Sequence, residues 1–203
     1  LILLKANLGR SVQKPKLRQL LSQSSVINHL SAARLFLFCA RDVWFVVALP
    51  VYLAQQLNWA YWQVSAFLAV WIIGYGLVQM LAPLITRKVA NNASPNGFKL
   101  AHKISFKWQI TLMFVPLALA MGLYFEWQSD AILIIGLGMF GIVFAVNSCL
   151  NSYLIVALSK SSSVAMDVGF YYMANAVGRL LGTLLSGWVF LQFGFISCLL
   201  ISA

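Results

Sequence analysis

Acidic residues are scarce in this chain, and charge of either sign is low. Its 203 residues include only four Asp or Glu against 14 Lys or Arg, and charged residues make up 9% of the total. A soluble domain has about 25% charged residues, so this composition excludes an ordinary water-soluble enzyme. Hydrophobic residues make up 62% of the chain, and a bilayer core about 30 Å thick accommodates them far better than water does. We therefore expect an integral membrane protein.

The residues of metal, disulfide and catalytic sites are also few. The sequence has two histidines, and its three cysteines lie in apolar segments with no CxxC spacing: Cys39, Cys149 and Cys198. HExxH, GxSxG and clustered carboxylates do not occur, so we predict no catalytic residue, no metal and no cofactor. An enzyme embedded in the membrane remains an alternative, as does a membrane scaffold or receptor that transports nothing.

Long apolar runs are what the sequence does have. Their lengths favour helices over the roughly ten-residue alternating strands of a membrane barrel. The predicted fold class is all-α, a polytopic membrane protein located in the cell (inner) membrane. The candidate spans are Ala32 to Gln55, Gln63 to Ile85, Trp108 to Phe125, Ala131 to Ala157, Val168 to Phe190 and a short run, Phe195 to Ala203.

Among the loops, only alternate ones contain Lys or Arg, which predicts the orientation. Basic loops face the cytoplasm in membrane proteins, and their alternation with apolar spans argues against a nucleic-acid partner. We interpret residues 1–31 as a basic cytoplasmic linker and residues 32–203 as a transmembrane bundle. The basic residues outside the spans or at their start are Lys5, Arg10, Lys14, Lys16, Arg18, Arg34, Arg87, Lys88, Lys99, Lys103, Lys107 and Lys160.

Two further arginines lie inside spans. Arg41 and Arg179 fall about nine and eleven residues beyond the inner ends of their helices, which is roughly 14 and 17 Å at 1.5 Å per residue and close to the bilayer midplane. A charge there costs at least about 2.5–3.5 kcal/mol, and guanidinium groups bind oxyanions through two parallel hydrogen bonds. We predict that both bind an anionic substrate; the alternative is a structural ion pair. Asp42, pointing about 100° from Arg41 on the helix, is expected not to pair with it, but to pair with Arg179 or carry a coupled proton.

Other polar residues in the spans are weaker candidates for the substrate site. Trp71, Tyr75 and Gln79 share one face of the second span, with simple packing as the alternative. Buried amides more often bond neighbouring helices than ligands; the candidates are Asn147, Asn151 and Asn175. A stripe of small residues every four positions predicts close helix packing in the fifth span, at Ala174, Gly178, Gly182 and Ser186. Pro50 and Pro116 are expected to kink their helices.

Three segments carry a resemblance to a known family. They read RLFLFCARDVWFVVALPVYL (34–53), FLAVWIIGYGLVQMLAP (67–83) and GFYYMANAVGRLLGTLLSG (169–187). Together with the basic linker and the two arginines near the bilayer midplane, these segments make the chain resemble the C-terminal half of a twelve-helix major facilitator superfamily transporter. Within it the segments resemble the ArsJ family of organoarsenical-efflux permeases. The chain begins without Met and ends within an apolar run, so we expect a piece of a longer protein with its last helix truncated.

That resemblance implies a function and partners. The family exports 1-arseno-3-phosphoglycerate, which forms when a partner glyceraldehyde-3-phosphate dehydrogenase uses arsenate in place of phosphate. The implied partners are that enzyme, the lipid bilayer and the N-terminal half of the same protein. The main alternative is a major facilitator transporter for another organic anion, such as a sugar phosphate or a carboxylate.

Overall fold

The structure is a computed structural model that describes residues 24–90, 95–125, 129–159 and 164–203, without the side chains of 83–90 and 95–102. All regular structure in these ranges is helical, which confirms the all-α class. The helices are α1 (Ser25–Phe45), α2 (Ala48–Gln55), α3 (Tyr61–Ala90), α4 (Pro95–Tyr124), α5 (Ser129–Leu158) and α6 (Val164–Ser202).

Five helical segments of the described chain are long and apolar enough to cross a membrane. They are Ser25–Gln55, which joins α1 and α2, then Tyr61–Ala82, Lys103–Tyr124, Ser129–Leu158 and Val164–Ser202. The first four of these segments contain the first four predicted spans almost completely. The fifth segment contains both the fifth and the sixth predicted spans. The helices also begin earlier than hydropathy indicates, since α1 starts at Ser25, about two turns before the predicted span.

The first predicted span is broken at Val46 and Val47, where α1 ends and α2 has not yet begun. Pro50 lies four residues after Val46 and has no N–H to bond the Val46 carbonyl, and its ring crowds that carbonyl. The break is therefore where Pro50 predicts it. Pro116, by contrast, lies inside α4, which runs unbroken from Pro95 to Tyr124.

The fifth and sixth predicted spans form one continuous element, α6, with a sharp change of direction. Gly194 adopts φ +77°, a left-handed conformation that a residue without a side chain adopts readily. Just beyond it, Phe195 stacks on Tyr52, 4.5 Å between ring centroids, yet Ala203 lines a cavity together with Arg41. The chain thus turns back at Gly194 and runs towards the middle of α1.

The part of α6 before Gly194 runs parallel to α1, because Gly178 faces Leu35 and Gly182 faces Cys39, and α5 runs antiparallel to α1 and α2. At the predicted outer end, the Trp59 indole N–H donates to Asp130 at the start of α5, 2.7 Å. Nearer the predicted cytoplasmic end, α1 contacts the second half of α5 through Arg34 and Ser148. Of the predicted cytoplasmic basic residues, those at 1–23 and Lys160 lie outside the described residues, whereas Lys103 and Lys107 are exposed.

Candidate functional site

The site begins with the close approach of α1 and α6. A Cβ on Gly178 would collide with the backbone oxygen of Leu35, and one on Gly182 would lie 2.6 Å from the backbone oxygen of Cys39. Only residues without side chains allow two backbones this near each other, which is the role of small-residue stripes in membrane helices. The same stripe brings the Arg179 turn of α6 against the Asp42 turn of α1.

The two ends of the stripe are also buried at this contact. Ala174 is 8% exposed and Ser186 is fully buried. The Ser186 hydroxyl accepts a hydrogen bond from the backbone N–H of Ala48, 3.0 Å. That N–H follows the break between α1 and α2, so it has no helical partner, and Ser186 satisfies it.

Asp42 is fully buried and pairs with both Arg41 and Arg179. Its Oδ1 lies 2.6 Å from Nε of Arg41, and its Oδ2 lies 3.3 Å from Nε of Arg179. The predicted pair with Arg179 is confirmed. The expectation that Arg41 and Asp42 would not pair is wrong, because the long Arg41 side chain curls back along the helix and presents Nε to its neighbour.

Arg41 retains most of its hydrogen-bonding capacity. Only its Nε bonds a described residue, so four N–H groups on its two terminal nitrogens remain. Its guanidinium carbon lies 4.6 Å from the Phe38 ring centroid and 5.0 Å from that of Phe144. The side chain also lines a cavity of about 290 Å³ between α1, α4 and the end of α6, where Gln109 is the other long polar side chain.

Arg179 shares the carboxylate but differs in burial. Its side chain is 57% exposed, whereas that of Arg41 is 12% exposed. Asn175 lies one turn earlier on α6, partly buried, and its Oδ1 bonds no described residue. A cation exposed at mid-span faces either water or a further polar surface, because lipid would not tolerate it.

Tyr75 lies beside the site through aromatic contacts. Its ring is parallel to that of Trp71, 5.6 Å between centroids, and lies 5.9 Å from Phe144. Trp71 donates its indole N–H to the backbone oxygen of Leu137, 2.8 Å. This face of α3 therefore packs on α5. Gln79, one turn further along α3, is partly buried, with no described contact to either arginine.

Asn147 and Asn151 are buried in α5 and bond each other. Nδ2 of Asn151 donates to Oδ1 of Asn147, 3.2 Å. Nδ2 of Asn147 and Oδ1 of Asn151 are then left without a partner in the described chain. Asn147 is fully buried and Asn151 is 1% exposed, and a buried amide group without a hydrogen-bond partner is costly. Each of these two groups could bond a ligand or a water molecule.

Arg34 is a buried residue that the sequence analysis did not single out for the site. It opens the first predicted span and is only 5% exposed. Nη1 donates to the Ser148 hydroxyl, 2.8 Å, and the guanidinium lies 4.1 Å from the Phe38 ring centroid. The signal that could have found it is the spacing of Arg34, Phe38 and Arg41, which places all three on one face of α1.

Two guanidinium groups bond one buried carboxylate: Nε of Arg41 and Nε of Arg179 donate to Asp42, and the terminal nitrogens of both arginines bond no other described residue. Guanidinium groups with free terminal N–H groups can hold anions. Groups of three or more His, Cys, Asp or Glu that could hold a metal do not occur in the described chain. All three cysteines are free thiols in the helices.

Comparison with protein-family models, curated proteins and solved structures finds no match to this chain.

Proposed function

We propose that this chain forms part of a secondary-active membrane transporter that exports a small organic anion. The observation that carries the proposal is the fully buried Asp42 between Arg41 and Arg179. One carboxylate neutralises one cation, and an uncompensated guanidinium inside a membrane span is costly. An anionic ligand would supply the missing charge.

Orientation of the arginines supports a binding role for both. Asp42 bonds each of them through Nε, and the outer edge formed by the two terminal nitrogens of each guanidinium bonds no other described residue. That edge carries the paired N–H groups that fit phosphate, carboxylate or arsenate oxygens. Arg41 lines a cavity of about 290 Å³.

The proposed substrate is an organoarsenical such as 1-arseno-3-phosphoglycerate, and the proposed setting is arsenate resistance alongside a glyceraldehyde-3-phosphate dehydrogenase. This part rests on the resemblance of residues 34–53, 67–83 and 169–187 to organoarsenical permeases. In that arrangement a second six-helix half would cover the exposed side of Arg179 and Asn175, and the substrate site would lie between the halves. Phosphate and arsenate esters have nearly the same shape, so the arginines alone favour no particular element.

The test is export by variants of Arg41 in the full-length protein. Arg41→Lys keeps the charge but loses the planar fork, and it should weaken transport by the loss of about 1.5–3 kcal/mol of binding. Arsenic efflux is measured in arsenate-treated cells that also make the dehydrogenase, together with protein level in the membrane. Lys103→Gln, which removes an exposed positive charge outside the site, is the matched control and should export normally.

Three outcomes would change the proposal. Normal export by both Arg41→Lys and Arg41→Gln would remove the ligand role. Disappearance of both variants from the membrane would make Arg41 a structural cation. Export of a phosphorylated or carboxylated solute without any arsenic efflux would support the alternative, a transporter of another organic anion.

A further inference from the structure

We propose that a groove between α4 and α5 binds an anionic phospholipid, with one acyl chain in the groove and the headgroup phosphate against Lys107. The groove has a volume of about 420 Å³. The described residues that line it are all different from those that line the cavity at Arg41. This lipid site is therefore separate from the proposed anion site and does not depend on the proposed function.

The groove has a buried floor and exposed walls. Val115 and Leu119 of α4 form the floor, 8 and 2% exposed. The walls are Phe114 from α4 and, from α5, Ile135 and Met139. Each of these three side chains is more than half exposed. The groove is therefore open along its length to whatever surrounds the two helices.

The surroundings of the groove are hydrocarbon, and its lining suits hydrocarbon. Both helices are long and apolar enough to span a membrane, over Lys103–Tyr124 and Ser129–Leu158. Of the described lining residues only Thr111 has a polar side chain, and its hydroxyl donates to the backbone oxygen of Lys107, 3.0 Å. Water does not fill an apolar groove of this kind, whereas lipid chains do. A fatty acyl chain is the occupant that fits.

A positive charge lies at the predicted cytoplasmic end of the groove. Lys107, Thr111, Phe114 and Ala118 follow one another at intervals of four, three and four residues, so one face of α4 leads from the charge into the groove. Lys107 is exposed, and no carboxylate of the described residues pairs with it. Anionic lipids of the cytoplasmic leaflet attract such basic side chains. The charge therefore favours a lipid with an anionic headgroup.

The depth of Lys107 matches that of a phospholipid headgroup. Trp108 follows it, half-buried, and tryptophan side chains concentrate where the hydrocarbon meets the headgroups. Thr111 lies four residues further into the span, about 6 Å along the helix axis. A phosphate at Lys107 is then level with the headgroups, and the acyl chain attached to it runs along α4 into the groove. Lys103 lies one turn further out, about 12 Å from Thr111 along the axis.

The experiment measures binding of the first lipid to purified full-length protein by native mass spectrometry. The probes are phosphatidylglycerol, which is anionic, and phosphatidylcholine with the same acyl chains, which has no net charge. Wild type should bind phosphatidylglycerol at least about fivefold more tightly, the factor expected from one lysine near an anionic lipid. Lys107→Gln should abolish that preference and still bind phosphatidylcholine as wild type does. Lys103→Gln, the matched control, should keep the preference.

A second pair of variants tests the groove itself. Ala118 is exposed within the groove, so Ala118→Phe places a ring where the acyl chain lies. This variant should weaken binding of the first lipid for both probes. Ala69→Phe makes the same change at an exposed alanine of α3, outside the groove, and should bind both lipids as wild type does.

Three results would overturn the proposal. Equal binding of the two lipids by wild type, or an equal loss of preference in Lys107→Gln and Lys103→Gln, would mean that no lipid is held specifically at Lys107. Unchanged binding of the first lipid in Ala118→Phe would place that lipid outside the groove. A dimer that Ala118→Phe dissociates would make the groove an interface with a second copy of the chain. Should Ala118→Phe not be recovered folded, Ala118→Leu replaces it with the same expectation.

Discussion

The contact between α1 and α6 and the contact between α4 and α5 differ in what separates the two helices. In the first, Gly178 and Gly182 face backbone atoms of α1. In the second, Gly136 faces the side chain of Leu119, and Gly122 faces the side chain of Ile132. Backbone against backbone leaves no room to adjust, whereas side chains can change rotamer.

The difference coincides with the position of the charges. The α1–α6 contact contains Asp42 and both of its arginines, whereas the glycines of the α4–α5 contact face the apolar side chains of Leu119 and Ile132. A buried ion pair stabilises only when its geometry is held closely. The small-residue stripe therefore serves the ion pair, because it fixes the distance between α1 and α6 where that distance determines charge pairing.

Removal of the shared carboxylate should have the largest effect. Asp42→Asn leaves two guanidiniums at the α1–α6 contact without an acid, and breaking a buried pair costs about 3–5 kcal/mol. Thermal unfolding and membrane level of the full-length protein would show it. Asp130→Asn is the matched control, because Asp130 is exposed and bonds only the Trp59 indole in the described chain, so its loss should cost far less. Equal losses in both variants would contradict the comparison.

Added methyl groups should separate the two contacts next. Gly178→Ala places a Cβ against the backbone oxygen of Leu35, so we expect a loss of about 1–3 kcal/mol. The nearest atoms to a Cβ at Gly136 belong to the side chain of Leu119, which can rotate, so Gly136→Ala should lose less stability. Gly187→Ala, with open space at its Cβ, is the control and should be neutral or slightly stabilising.

Unfolding midpoints of these three glycine variants measure the rigidity of each contact. The expected order of stability is Gly187→Ala, then Gly136→Ala, then Gly178→Ala. If Gly136→Ala lowers the unfolding midpoint as much as Gly178→Ala does, the side chains at the α4–α5 contact adjust no better than the backbones at the α1–α6 contact. The proposed difference between the two contacts would then be wrong.

The smallest effect is expected at the break between α1 and α2. Ser186→Ala removes the acceptor of the Ala48 N–H, and hydrogen bonds between membrane helices contribute about 0.5–1.5 kcal/mol. Ser65→Ala is the control, because the exposed Ser65 hydroxyl bonds only the backbone of its own helix at Tyr61. Hydrogen exchange at the Ala48 amide should rise in the first variant alone; no change there would mean that water already satisfies this group.

Much of the fold could be predicted because it depends on local properties. The spans follow from runs of apolar residues, and the break in the first span follows from the missing N–H of Pro50. The small-residue stripe of α6 follows from spacing along one helix. Each of these is a property of a single segment, so no knowledge of its neighbours was needed.

The candidate site was only partly predictable, because its chemistry depends on which faces meet. Arg41 and Arg179 stood out as charges within apolar runs, and the Asp42–Arg179 pair was foreseen. Arg34 was not, because hydropathy places it at the edge of a span, and its burial depends on Ser148 and Phe38. Tyr75, a candidate for the substrate site with simple packing as the alternative, stacks on Trp71, a contact that depends on how α3 lies against its neighbours.

The sequence by itself determined that this chain is a bundle of membrane-length helices with guanidinium groups inside it. Composition and spacing suffice for that, because the cost of placing a polar backbone or a charge in lipid acts on each segment separately. Only the tertiary structure decided that one aspartate joins two arginines, that Arg34 lies against the same ring as Arg41, and that the chain reverses at Gly194. These features depend on distances of a few ångströms between helices far apart in sequence, and those distances are set by the packing of whole faces.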